Sequence, residues 1–533
     1  MTKAIIAGVL LAAAGASGAV AADSSGAAPI DADLVLADGM IYDGSGGAPV
    51  RGSVAIRGEQ IVAVGQFAVG NAGRTIDCRG LAIAPGFIDL HNHSDFEESL
   101  LGEGNRGADN YLLQGCTTMV TGNCGGGQAN VGKFLADVDE GVGVNVAHLI
   151  PHGAVRSEVL GRRAVDPSPE QLAKLCEWVD RGMQQGAWGM STGLIYVPSS
   201  YGKLDELAAM SARVAAHGGI YASHIRSEDS DLLGAIEEAL EIGKQSGAPV
   251  HVSHFKVCGK PYWGVVRTAA RMIQDARAAG QTVTADQYPY IATSTSLGAM
   301  MLPSWAREGS FDDTVARLSD DAQLPQLRRE VEQALSERPH VVIVACDAEP
   351  TYTGRAVREI ARAQGQDPVD FVIGLLKVED PAAVNFALDE ADVRFVMQLP
   401  WVATASDGSV KQPAEAKAHP RSYGTFPRKL GYYAVQESVL PLEQAVRSCS
   451  GLPADILGMS DRGYVRVGAI ADVVVFDPQR VLDGATFDEP YELPVGIPWV
   501  IVNGQIAAED GKSTGAMAGR ALRHESKLAT PGG

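Results

Sequence analysis

Apolar positions fall into two patterns along this chain. Toward both ends they come as short runs bounded by Gly- and Asp-rich turns. Asp33–Leu36, Gly39–Tyr42, Ser53–Ile56 and Gln60–Val64 read as strands at one end, and Ala471–Phe476 and Pro498–Gln505 at the other. Two β segments flanking the middle of a chain predict one small β domain built from both ends. The middle instead alternates apolar runs with amphipathic stretches, the signature of a parallel α/β fold. Candidate strands are Gly86–His93, Thr117–Gly122, Val144–Leu149, Gly189–Thr192, Gly219–His224, Val250–His254, Thr282–Asp286, Val341–Ala345 and Val402–Ser406. Gln171–Gln185, Leu204–His217, Leu232–Ser246 and Tyr262–Ala279 read as helices between them. Nine strands are one too many for an eight-stranded barrel. The rhythm breaks at about residues 291–353, which assigns Val341–Ala345 to an insertion.

Composition narrows the function classes. With 44 Lys+Arg against 64 Asp+Glu the net charge is −20, which argues against nucleic acid as a partner. A hydrophobic fraction of 46% is ample for a core. Residues 1–22 carry Lys3, a mostly apolar stretch and small residues at Ala19–Ala22. They read as a secretory signal peptide and predict an exported protein, periplasmic or secreted. The run is short for a spanning helix and no later stretch qualifies, so no stable membrane insertion is expected after cleavage. Seven scattered cysteines in a long chain are no disulfide framework. The last residues, 524–533, are expected to form a flexible tail.

The chemistry concentrates at the ends of the central strands. Alternate residues on a strand face the same way, so His91 and His93 project together from the first, at the face where barrel active sites sit. Two imidazoles so placed suit zinc or a similar divalent ion. Cys124 follows the second strand in a Gly-rich turn, in register with that pair. His224 ends the fifth strand. The sixth offers His251 and His254, which lie on opposite faces, and His254 is assigned because it stands at the strand's end. Asp407 ends the last strand and supplies the base that a metal-assisted hydrolase needs, to take a proton from water and return it to the leaving nitrogen. Asp347 is the weaker candidate because its strand is the surplus one. Asp89 reads as structural, and Glu228 and Asp229 as solvated acids at a helix start.

These motifs resemble the amidohydrolase superfamily, and within it the N-acyl-D-amino-acid deacylases. The resemblance covers nearly the whole chain after the leader. It includes GFIDLHNH at Gly86–His93, TGNCG at Thr121–Gly125, GMSTGLIYVPSSY at Gly189–Tyr201, HIRSE at His224–Glu228, VSHFK at Val252–Lys256, DQYPY at Asp286–Tyr290, SDG at Ser406–Gly408 and HPRSYGTFPR at His419–Arg428. The closing VNGQ at Val502–Gln505 and GKSTGAMAGRALR at Gly511–Arg523 extend it. It implies an α/β fold: a distorted (β/α)8 TIM-like barrel over 86–455, a β-sandwich domain formed from 30–85 and 456–523, and an insertion over the active site. Many relatives bridge two metals with a carboxylated Lys on the fourth strand. Here that strand reads Trp188-Gly189-Met190-Ser191-Thr192, and in the Cys branch the residue matching Cys124 takes the role.

The resemblance further implies a tight zinc site of Cys124, His224 and His254. A weaker second position of His91, His93, Cys124 and Asp407 would accompany it. Lys256, Tyr288 and Arg421 would clamp the substrate carboxylate, Arg as a fork, Lys as a point charge and Tyr through its hydroxyl. The implied reaction releases a carboxylic acid and a free D-amino acid from a small N-acyl-D-amino acid. Ser294–Leu302, at the start of the insertion, has no Arg or Lys, which points to neutral, hydrophobic side chains. The alternatives are a dipeptidase acting before a C-terminal D-residue and a cyclic-amide hydrolase of the dihydropyrimidinase type.

Overall fold

The computed structural model of the chain describes residues 28–96, 99–414 and 417–528. The leader expected at 1–22 lies outside the described residues. The fold is mixed α/β. One nine-stranded sheet takes Ile30–Ile41, Val50–Arg57, Gln60–Gly65, Val69–Asp77 and Ala82–Pro85 from one end of the chain. From the other it takes Val473–Phe476, Trp499–Val502, Gln505–Glu509 and Lys512–Ser513. Ala82–Pro85 is the seam, parallel to Ile30–Ile41 and antiparallel to Val473–Phe476. Its four residues are all buried, as an interior strand requires. Asn503 and Gly504, both at positive φ, turn the chain between Trp499–Val502 and Gln505–Glu509, the residue pair a two-residue hairpin favours.

The central strands pair in parallel and in chain order. Phe87–Asp89, Cys116–Thr121 and Asn145–His148 form one sheet. Ile150–Pro151, Gly189–Gly193, Ile220–His224, Val250–Val252, Val283–Gln287 and Val402–Thr404 form another. Leu149 joins the two, and a parallel bridge between Asn92 and Gly408 links the last strand back to the first. The irregularity falls after Asn145–His148, where Val146 exchanges backbone hydrogen bonds with the carboxyl-terminal segment at Arg520 and Leu522. Strands such as Cys116–Thr121 and Ile220–His224 are buried at every position, so apolar runs rather than alternation mark them. The helices come at Pro169–Gln184, Leu204–His217, Leu232–Ser246 and Val266–Ala278, close to their expected positions.

Val341–Ile343 lies outside the parallel set. It pairs antiparallel with Ala382–Asn385, which also pairs with Thr293–Ser296. This excursion runs past residue 353, where the sequence pattern ended it. A hydrogen bond from the Leu388 amide to the Ile291 carbonyl closes its neck. The helices Val357–Ala363 and Pro368–Leu376 imitate the periodicity of the central ones, but pack on Leu324–Glu337 in a separate apolar cluster around Leu327, Val331, Ile343 and Val372. The flexible tail expected from residue 524 is not found over 524–528. The Lys527 amide donates to the His217 carbonyl and the His524 amide to that of Gly186, so the chain stays attached there; 529–533 lie outside the described residues.

Candidate functional site

The carboxyl ends of the parallel strands bring the expected donors together. Cys124 Sγ stands 3.2 Å from His91 Nε2, 3.5 Å from His224 Nδ1 and 3.6 Å from His254 Nε2. His93 Nε2 lies 2.9 Å from Asp407 Oδ1. These atoms form two groups, Cys124 with His224 and His254, and His91 with His93, Cys124 and Asp407. Within each, the ligand atoms lie within 4.8 Å of one another. A sulfur and a nitrogen bound to one tetrahedral zinc stand about 3.5 Å apart, given bonds of ~2.3 and ~2.0 Å. The separations around Cys124 match that edge, and a thiolate with imidazoles is the donor chemistry zinc accepts. The residues therefore fit a divalent metal, with Cys124 shared between two positions.

The backbone is bent to make this convergence. Cys124, His254 and Asp407 adopt φ of 52°, 36° and 51°. Few non-glycine residues adopt this left-handed region, and each such residue costs on the order of 1–3 kcal/mol. The strand ends stay in place through buried hydrogen bonds. Asp89 accepts from Asn92 Nδ2 at 3.0 Å, and from the Ser406 amide at 2.8 Å and hydroxyl at 2.6 Å, stapling the last strand to the first.

A second layer of carboxylates orients the imidazoles. Asp286 accepts from His91 Nδ1 at 3.3 Å, His251 Nε2 at 2.8 Å and the His254 amide at 2.7 Å. His91 Nε2 is thereby left facing Cys124. His254 Nδ1 lies 2.8 Å from both Glu228 Oε1 and Lys256 Nζ. An ammonium only donates, so a proton on Nδ1 goes to Glu228 and leaves the Nε2 lone pair facing Cys124. Such partners fix tautomer and ring direction in metal-ligating histidines.

Burial disfavours charge throughout; it prevails at His224, whose pKa it lowers, but close pairing overrides it at three other groups. It would raise the Asp407 carboxyl, but Arg421, His254 and His91 hold it well below the usual range. It would raise the Cys124 thiol, but His91, His224 and His254 bring it well below its ordinary value. It would lower His93, but Asp407 and Cys124 raise it to about 9.

Two connected lobes open from this cluster. The first, of about 660 Å³, runs past His224, His254, Lys256 and Tyr288 to Met300 and Leu302 of the excursion. The second, of about 900 Å³, runs past His93, Cys124 and the glycines 125–127. Both are lined by Tyr196, Ser294, Thr295 and Asp407. The expected carboxylate clamp is gathered here but largely engaged. Lys256 Nζ donates to Glu228 at 2.5 Å and Arg421 Nη1 to Asp407 Oδ2 at 2.6 Å. The Tyr288 hydroxyl is buried without a hydrogen-bond partner.

All nine expected residues, His91, His93, Cys124, His224, His254, Asp407, Lys256, Tyr288 and Arg421, line this region. His251 stays outside both donor groups, and Asp347 is exposed on the excursion. The expectation for Glu228 fails: it is a largely buried partner of His254 and Lys256 rather than a solvated helix-start acid, since the next helix begins only at Leu232. Asp286 had no assigned role. Its signal was an acid near the carboxyl end of a buried strand, the residue that opens the DQYPY motif.

Comparison with known proteins agrees with this geometry. The profile of the amidohydrolase family matches residues 74–508. The D-aminoacylase of Alcaligenes xylosoxydans xylosoxydans is 34% identical, over 92% of this chain and 97% of that protein. A crystal structure of D-aminoacylase, described as defining a novel subset of amidohydrolases, superposes with a TM-score of 0.79 at 32% identity, over 92% of this chain and all of that one. The N-acyl-D-glutamate deacylase from Bordetella bronchiseptica, complexed with zinc and a phosphonate mimic of the tetrahedral intermediate, gives 0.80 at 30% identity, over 93% of this chain and all of that one.

Proposed function

This chain belongs to the amidohydrolase family, in its D-aminoacylase branch, and from that premise we propose that it hydrolyses the linear amide of N-acyl-D-amino acids to a carboxylate and a free D-amino acid. The observation that carries the reading is Cys124 at the meeting point of two donor groups, beside a buried, ionised Asp407. The circuit of parallel strands is read as a distorted (β/α)8 barrel, and the two-ended sheet as its β-sandwich companion. Zinc is the metal proposed, held tightly by Cys124, His224 and His254. A weaker position would draw on His91, His93, Cys124 and Asp407. A divalent ion held there would supply Lewis acidity to the amide carbonyl and to water.

The chain's own groups do the rest. Asp407, kept ionised by Arg421 and the histidines, accepts the proton of the attacking water and delivers it to the leaving nitrogen. The unpartnered Tyr288 hydroxyl, with Lys256 and Arg421, grips the α-carboxylate. D-selectivity follows if clamp, metal and side-chain lobe must be met together. Leu194, Ile195, Met300 and Leu302 support neutral, apolar side chains in the first lobe. The absence of a bridging lysine on Gly189–Gly193 disfavours the cyclic-amide alternative. The apolar leader supports export to the periplasm or beyond.

A second reading of the side chain rests on Arg307. This cation lines the same lobe and donates to the carbonyls of Leu302 and Ile195, with no ion pair among the described residues. Preference for N-acetyl-D-Glu over N-acetyl-D-Leu or D-Met would favour it. Amine release from paired D- and L-N-acetyl amino acids (Leu, Met, Phe, Glu) tests the whole proposal, with metal content measured on the same preparation. The expected result is D-selective release, bound zinc and loss of release in Asp407→Asn. No release from any pair by metal-loaded protein would overturn it.

A further inference from the structure

The second lobe is not used by the side chain, yet it opens directly on the reacting centre through Asp407 and Cys124, and Arg421 of the clamp lines it. We propose that this lobe is an acyl-chain subsite, and that the enzyme favours N-acyl-D-amino acids carrying extended, uncharged acyl groups over N-acetyl ones. The inference rests on the deacylase reading above.

Direction comes first. Two of the three clamp residues, Lys256 and Tyr288, line the first lobe; Arg421 lines the second but donates to Asp407 and the Ser294 carbonyl, which border both lobes. With the α-carboxylate and side chain on the first side, the acyl arm of the amide points into the second. Size comes next. A lobe of about 900 Å³ is far larger than an acetyl group and lies in the range of cavities that hold drug-sized ligands.

One side of the wall is built to stay open, and an apolar surface lies beside it. Gly125 and Gly127 sit at φ of 67° and 107°, and a Cβ on Gly127 would fall 1.7 Å from Asp95 Oδ2. A Cβ on Gly126 would stand 2.9 Å from the edge of the Phe96 ring. Backbone therefore forms this side of the lobe. Phe96 lies over it, 6.0 Å from the His93 ring and 49% exposed, with Trp178, Ala154 and Val197 lining the lobe beyond. A half-exposed aromatic beside a reaction centre offers an apolar surface to a ligand.

Charge separates an acyl chain from an aminoacyl group. Asp407 is already paired with His93 and Arg421. Apart from it, Glu158 is the one carboxylate lining the lobe among the described residues, and Arg162 lines it too. Glu158 is offset by Arg162 and Asp407 by Arg421, so the lining has no net negative charge to draw a free ammonium.

The test measures kcat/KM of the zinc-loaded full chain on N-acetyl-, N-butanoyl-, N-hexanoyl- and N-octanoyl-D-Met, with the dipeptide Leu-D-Met beside them. A methylene that becomes fully buried is worth about fourfold, the equivalent of ~0.8 kcal/mol. A half-open cleft delivers part of that, so a rise of at least about tenfold from acetyl to octanoyl is expected. Ala154→Trp, which fills the lobe, should collapse the octanoyl-to-acetyl ratio, with circular dichroism checking the fold. The ratio, not the acetyl rate, is the readout. A flat or falling series, an unaltered ratio in the variant, or faster cleavage of Leu-D-Met than of the octanoyl substrate overturns the subsite while leaving the deacylase standing. No turnover of any member overturns both.

Discussion

Two clusters of buried charge sit at opposite ends of the same parallel strands. At the carboxyl ends, His91, His93, Cys124, His224, His254 and Asp407 converge. At the amino ends, Asn145, the first residue of its strand, meets Asp472, Arg462 and Asn503 where the parallel strands abut the two-ended sheet. Arg462 pairs with Asp472, Asn503 Nδ2 donates to Asn145 and to the Ala518 carbonyl, and none of the four leaves a fully buried side-chain polar atom without a partner. The upper cluster leaves His93 Nδ1, His224 Nε2 and the Tyr288 hydroxyl without one, and bends three backbones to do so. Buried polar groups are ordinarily satisfied. The lower cluster obeys that rule and holds two layers together; the upper one breaks it, at Tyr288 with the hydroxyl that a substrate carboxylate would complete. Incompleteness under strain, rather than buried charge as such, distinguishes the working site.

Four experiments can break or sharpen that contrast. Asp407→Asn should lower kcat/KM by about 10²–10⁴-fold, the range of a lost general acid–base group, in protein that still folds. Activity within tenfold of the parent would remove Asp407 from the chemistry. Arg462→Met should do the reverse. Breaking a buried ion pair leaves Asp472 uncompensated and costs about 3–5 kcal/mol, read as a fall in urea-unfolding stability, with kcat/KM per folded molecule unchanged. Loss of activity at full stability would make the lower cluster functional as well.

Lys429 provides a charge paired in neither way. Its ammonium donates to the Met397 carbonyl, and burial pushes its pKa down from 10.5 to about 8. Between these values the unfolded chain binds the extra proton, so this group's contribution to stability rises with pH across that window. Below pH 8 the burden is about 3 kcal/mol. Lys429→Met should therefore be the more stable protein at pH 7, with the gap closing as the pH approaches 10.5. A gap that does not change with pH would show that Lys429 stays charged.

The smallest effect is expected from Asp286→Asn. Losing the carboxylate that orients His91 and His251 should weaken metal affinity about 10–100-fold, measured by competition with a chelator. An unchanged affinity would mean that packing alone orients His91.

The central strands were legible because burial on both faces makes each an uninterrupted apolar run between turns. The metal candidates were legible because chemistry-bearing residues stand at the ends of those runs: His91 and His93 after one strand, Cys124 after the next, His224, His254 and Asp407 after others. Local pattern determined which residues could meet. It could not determine the far edge of the excursion, because Val357–Ala363 and Pro368–Leu376 carry the same helical period as the helices outside it.

Nor could it assign Glu228 or Asp286. A carboxylate's role depends on what stands across from it, and their partners arrive from elsewhere in the chain: His254 and Lys256 for Glu228, His91 and His251 for Asp286. Tertiary structure alone also paired Arg421 with Asp407 and left the Tyr288 hydroxyl without a hydrogen-bond partner. It opened a second lobe behind three glycines as well. The reason is common to all of these. Period and spacing are properties of adjacent residues, whereas the ionisation, orientation and accessibility of a buried group are set by atoms that only the fold brings within reach.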